Sequence, residues 1–208
     1  MLDIILGGGI VLFLIYFVNI ILAITVHEYA HLWAASKFGD NTGELEGRMN
    51  LNPLNHLDLF GTLLIFFIGF GWGKSAPVNF YKLKNPERDF MITSLAGPAS
   101  NFFLVILFTI TFKFLKEFSM VNDLNSGFLT AGIVINVGLG IFNLLPIPPL
   151  DGSRVLRWFF RNNYKLLSYR NFLETQYIFI FIFLWLFGGW IVFPVIMGIV
   201  NFIFNTFL

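Results

Sequence analysis

The residues best able to do chemistry are His27-Glu28-Tyr29-Ala30-His31. On a helix, positions i and i+4 lie one above the other on the same face. The two imidazoles can therefore grip one metal ion, with Glu28 beside them. Zinc takes neutral imidazole nitrogen readily, needs a further protein ligand, and in hydrolytic sites keeps a position open for water. It brings the pKa of that water near neutrality, and a neighbouring carboxylate can take the proton. The pattern predicts a hydrolytic site with one zinc ion per chain and Glu28 as general base.

The setting sharpens this reading. The motif lies inside an apolar segment, 10–35, that contains no Lys or Arg. Ionisable side chains are costly in a bilayer, and those found there are functional candidates by default. The chain has only three histidines, and two of them fall in this motif. The competing account is plain pairing of His and Glu between helices.

Composition says what must position these residues. The 208 residues are 57% hydrophobic and 12% charged, with 28 Phe. A globular chain would carry about 25% charged residues. The expectation is an all-α polytopic membrane protein, one domain over 1–208, with four to six membrane-embedded helical segments. No basic tract interleaved with aromatics suggests nucleic acid. The absence of cysteine rules out disulfides and thiolate metal sites and leaves His, Asp and Glu as ligands. The first basic residue is Lys37, so the start lacks the basic region of a signal peptide.

Taken in order, segment 6–36 is long enough to cross, with Gly39 a plausible C-cap. Residues 43–50 alternate polar and apolar and predict a short strand, with Pro77-Val78-Asn79-Phe80-Tyr81 as its partner. Between them, 60–72 is apolar but short for a span, which predicts a re-entrant or interfacial hairpin. Segment 89–114 carries Ser94-Leu95-Ala96-Gly97-Pro98-Ala99-Ser100-Asn101, small residues that let helices approach closely. Asn101 reads as an interhelical hydrogen bond. Segment 128–145 carries Asn136 and Asn143 and breaks at Pro146. Residues 151–165 predict an amphipathic surface helix with Arg154, Arg157 and Arg161 on a solvated or lipid-facing side. Segment 176–207 is too long for one untilted span, and Gly188-Gly189 and Pro194 divide or kink it.

If the first three long segments each cross, the 37–88 connection and the stretch after 150 share one side. They hold all the basic residues except Lys113 and Lys116. Basic loops favour the cytoplasm, which places the N-terminus outside and the chemistry toward the cytoplasmic face of the cell membrane. The motif histidines and Asp151 then converge at one depth, and Asp151 becomes the candidate third ligand. Its rivals are His56, Asp58 and Glu44. His56 in a Pro/Asn loop reads as a hydrogen-bonded structural histidine, and Asp58 as an N-cap or Asx-turn. Asn143 is a candidate donor to a substrate carbonyl or to developing oxyanion charge.

These residues resemble a known family. His27-Glu28-Tyr29-Ala30-His31, followed by Asn143-Leu144-Leu145-Pro146-Ile147-Pro148-Pro149-Leu150-Asp151-Gly152, is similar to the site-2 proteases, intramembrane zinc metalloproteases of the M50 type. Asn50-Leu51-Asn52-Pro53-Leu54-Asn55-His56-Leu57-Asp58, Gly71-Trp72-Gly73-Lys74 and Ser94-Leu95-Ala96-Gly97-Pro98 resemble the compact prokaryotic branch, without PDZ or CBS domains. The resemblance implies His27, His31 and Asp151 as zinc ligands, Glu28 as base, and Asn143 as a substrate- or intermediate-holding residue. The partners it implies are transmembrane protein substrates in the lipid bilayer, cut within or near their spans. The 37–88 region is the candidate for holding an extended substrate by strand addition. The alternative is a non-catalytic membrane protein that binds or transports metal with the same His/Asp cluster, for which Glu28 has no purpose. A di-iron oxidase would need more histidines than the chain has.

Overall fold

The computed structural model describes residues 9–68, 71–161 and 192–208, and residues 175, 176, 179, 189 and 190 between them. Among the described residues, three helices are long and apolar enough to cross a membrane: α1 (Ile10–Lys37), α4 (Pro86–Glu117) and α5 (Asp123–Asn143). Short helices α2 (Thr42–Leu45) and α3 (Leu59–Ile68) lie between α1 and α4, and α6 (Asp151–Phe159) follows α5. Helix α7 (Val192–Phe207) closes the described chain. At about 1.5 Å per residue, the 28 residues of α1 run for about 42 Å, against about 30 Å of hydrocarbon.

Local chemistry sets the ends. Gly39 follows α1 at φ 102°, the left-handed conformation that glycine adopts at no steric cost. At the start of α4, Asn85 N–H donates to Asp89 Oδ2 (2.7 Å) and Pro86 takes the first turn. Asn122 and Asn125 cap α5 reciprocally at 2.9 Å.

Helices α1, α4 and α5 pack together, with apolar side chains on the outside and both apolar and polar ones buried between them. Leu14, Val18, Phe103, Ile106 and Ile110 are exposed, the arrangement expected against lipid. Asn19, Asn101 and Asn136 are wholly buried. An apolar core occupies the end away from the histidines, where Leu104, Val105 and Phe108 of α4 meet Leu129, Ile133 and Val137 of α5 and Val200 of α7.

The α1–α4 connection differs from the sequence expectation. No strand forms among the described residues, and the one β contact is an isolated bridge between Leu57 and Gly73. Residues 42–45 are helical instead. Asp40 Oδ1 accepts from both Thr42 N–H (3.0 Å) and Thr42 Oγ1 (2.5 Å), which winds the chain into a turn. Gly43 then packs directly on Leu32, where a Cβ would collide. After α3 the chain at Gly71 lies beside the start of that helix. Gly61 and Gly71 approach so closely that a Cβ on either would overlap backbone of the other limb. Lys74 N–H donates to His56 O (2.8 Å) at the mouth. The first limb of the predicted hairpin is thus helical, and its two described ends lie side by side.

Helix α6 begins where predicted, and the arginines expected on its solvated side are partly exposed while also resting on aromatic rings. Arg154 lies over Phe90, Arg157 over Phe80 with a 3.2 Å contact to Glu87, and Arg161 over Trp158. Most of 176–191 falls outside the described residues, and with it the question whether 176–207 crosses once or twice.

Candidate metal centre

His27 and His31 sit on α1 as i and i+4, both buried, and Asp151 is the first residue of α6. Asp151 Oδ2 is 3.2 Å from each Nε2, and the two Nε2 atoms are 3.1 Å apart. Three ligand atoms thus form a nearly equilateral triangle. Ligands of a tetrahedral zinc at about 2.0–2.1 Å stand about 3.3 Å from one another, so the triangle is metal-sized.

Hydrogen bonding decides which nitrogen of each ring carries the proton. A backbone carbonyl can only accept, so Asn136 Nδ2 donates to Gly132 O (2.9 Å) and presents Oδ1 to its neighbour. Asn101 Nδ2 donates to that oxygen (2.9 Å) and to Ala23 O (3.3 Å). Asn101 Oδ1 therefore accepts, and His27 Nδ1–H donates to it at 2.6 Å. His31 Nδ1–H likewise donates to Thr93 O at 2.7 Å. In the neutral rings both Nε2 atoms are then lone pairs, facing each other and a carboxylate oxygen. Three acceptors that close, with no proton between them, need a cation.

The surroundings fit one. An ideal Cβ at Gly97 would stand 2.6 Å from His27 Nε2 and closer still to His31 Nε2, so only glycine leaves the ligand triangle open on the α4 side. Pro98, next along, cannot donate to the carbonyl of Ser94, and the ladder is interrupted in the turn from which Thr93 offers its carbonyl to His31. Arg154 stands 3.5 Å from the other oxygen of Asp151, Oδ1. The loop before α6 brings Asp151 here by folding on itself. A Cβ at Gly152 would run into the carbonyls of Leu144 and Leu145 at the end of α5.

Glu28 is half-buried, and its Oε2 accepts from Ala76 N–H at 2.6 Å. The other sequence candidates lie apart from the triangle. His56 is buried with Nε2 2.6 Å from Asn50 O, Asp58 Oδ1 caps α3 through Gly61 N–H (2.8 Å), and Glu44 is exposed on α2. Asn143 Nδ2 donates to Leu139 O of its own helix (3.0 Å) and makes no hydrogen bond to the triangle among the described residues. The partners of the imidazoles, Asn101 and Thr93, were not legible as such. The one available signal was an asparagine in a run of small residues.

Comparison with known proteins gives the arrangement a family. Residues 117–187 match Peptidase family M50. The chain is 42% identical over 147 residues to YwhC of Bacillus subtilis, covering 67% of this chain and 66% of that one. It is 33% identical over 152 residues to Rip2 of Mycolicibacterium smegmatis (69% and 56%). It is 31% identical over 151 residues to MJ0611 of Methanocaldococcus jannaschii (72% and 73%). All three bear the name "Putative zinc metalloprotease". The chain thus spans just under two thirds of the length of the first of these relatives and little over half of the second. No solved structure gives a significant match. Zinc is the metal those names carry, and the His27, His31 and Asp151 triangle can hold one such ion. On this agreement of motif, fold and relatives, the chain belongs to peptidase family M50, the site-2 protease family.

Proposed function

We propose that this protein hydrolyses peptide bonds within or near the transmembrane segments of other membrane proteins. His27, His31 and Asp151 hold one zinc ion and Glu28 serves as the base. The observation that carries the reading is the triangle of three metal-ligating atoms, set among apolar helices, with a carboxylate on the residue after His27. When bound, zinc supplies a Lewis acid that polarises a carbonyl and brings the pKa of water near neutrality.

The chain's own residues do the rest. Asn101 and Thr93 hold the imidazoles in the tautomer that directs both Nε2 atoms inward. Glu28 takes a proton from the attacking water and returns it to the leaving amine. Asn143, on the last turn of α5 eight residues before Asp151, offers its amide to the substrate carbonyl as the scissile region passes. A substrate helix must unwind locally to expose a peptide bond, because backbone groups in lipid are otherwise paired. The basic residues at the ligand end of the bundle support a cytoplasmic side for this chemistry.

The test pairs metal with turnover. Wild type purified in detergent carries near-stoichiometric zinc and cleaves a member of a single-span substrate panel. Glu28→Gln keeps zinc and loses cleavage, and Asp151→Ala loses zinc. A wild type without zinc overturns the metal centre. Unchanged cleavage in Glu28→Gln removes Glu28 as the base. Stoichiometric zinc bound or passed across vesicles, with no hydrolysis of any substrate, favours the metal-binding or transport reading.

A further inference from the structure

The carboxylate of Glu28 is held by a segment that is itself held by a buried arginine. Arg48, in the loop after α2, is 7% exposed. All the contacts it makes through its fork go to backbone carbonyls: Nε to Asn55 O (3.0 Å), Nη1 to Ser75 O (2.8 Å) and Nη2 to Lys74 O (2.7 Å). The next residue, Ala76, donates its N–H to Glu28 Oε2 at 2.6 Å.

The rest of 73–79 is pinned just as firmly. Lys74 N–H donates to His56 O (2.8 Å), and Asn79 N–H donates to Asp40 Oδ2 (2.6 Å). Gly73 lies so close to α1 that a Cβ would stand 2.6 Å from Ile24 Cγ2 and 3.9 Å from Glu28 Oε1. A lone loop arginine would ordinarily keep its charge in water. Here its planar fork takes three carbonyls from two separate stretches, a geometry lysine cannot reproduce.

We propose that Arg48 is a positioning residue for Glu28. It fixes 74–76 against α1, so that the Ala76 amide orients the carboxylate and leaves Oε1 as the oxygen that takes the proton. One fixed donor on Oε2 restricts the rotamers open to a carboxylate on a half-buried helix face. The inference rests on the reading of Glu28 as base.

The test uses full-length zinc-loaded protein in detergent, with Arg48→Gln and Arg48→Lys. It reads zinc content, amide exchange in peptides spanning 73–79, and kcat and KM on a single-span substrate that the wild type cuts. Arg48→Gln should keep zinc and exchange at 74–76 at least about tenfold faster, as expected for loss of one charge-assisted hydrogen bond. Its kcat should fall about ten- to a hundredfold with KM within about twofold, a part of what a general base supplies. Arg48→Lys, which keeps the charge without the fork, should recover little of the kcat.

Faster exchange with unchanged kcat overturns the proposal, as does full recovery in Arg48→Lys, a rise in KM alone, or loss of zinc in both variants. Glu28→Ala supplies a readout independent of turnover, because it should by itself speed exchange at Ala76. If the wild type cuts nothing while Glu28→Ala still frees Ala76, the hydrolytic reading fails and the contact stands. If Glu28→Ala leaves Ala76 unmoved, the contact itself is wrong.

Discussion

The metal centre depends on proton placement within two rings, and each ring is set by one partner. His27 has Asn101, itself fixed through Asn136 to a carbonyl that can only accept. Replacing Asn101 with Leu keeps much of the volume but frees His27 to turn or to change tautomer. Zinc affinity should fall about 10–100-fold, the usual cost of losing such a partner, as read by competition with a chelator. Helix content should not change. Gly97→Ala tests a different term. Its methyl would enter the ligand triangle from α4, and the neighbour that must give is a ring held at both nitrogens. The expected result is a protein that inserts and folds but holds no zinc at concentrations that saturate the wild type. If Gly97→Ala binds zinc normally, the triangle opens elsewhere than toward α4.

At the scale of elements, the site is a meeting of α1, α4 and α6, and the loop that starts α6 is closely packed. Gly152 touches the carbonyls of Leu144 and Leu145, so Gly152→Ala should push Asp151 off the triangle. Overpacking of this kind costs about 1–3 kcal/mol. The signature is lost zinc with the apolar core of α4, α5 and α7 still intact, measured as metal content beside thermal unfolding in detergent. The same elements show why some of the site could be read and some could not. His27, Glu28 and His31 obey helical spacing, and Asp151 follows from counting crossings, so both are properties of one chain read along its length. Asn101 was legible as a residue that bonds across helices, but its partner depends on the register of α4 against α1. Arg48 looked like one more basic loop residue, because nothing local says that carbonyls from 55, 74 and 75 will surround it. The strand expected over 43–50 failed for a local reason. The polar/apolar alternation was real, but Asp40 capped the turn before pairing could begin, and no partner strand forms at 77–81.

For the whole molecule, charge asymmetry decides which face of the membrane holds the chemistry. Lys37, Arg48, Lys74, Lys82, Lys84, Arg88, Arg154, Arg157 and Arg161 all lie in the connections at the ligand end of the bundle, while Lys113 and Lys116 lie near the α4–α5 turn. By the positive-inside rule, the proposed orientation has the ligand end facing the cytoplasm. A chain without cysteine makes this simple to test, since any thiol introduced is the only one. Glu46 is exposed beside α2, and Met120 is 58% exposed in the turn between α4 and α5. With Met120→Cys, a membrane-impermeant maleimide should label intact cells. With Glu46→Cys it should label only after the membrane is opened. The reverse pattern would put the metal centre on the outer side and invert the face from which a substrate span must unwind. Labelling of both thiols in intact cells would mean that α1 and α4 do not separate the two ends, and the topology from which Asp151 was first reached would fall with them.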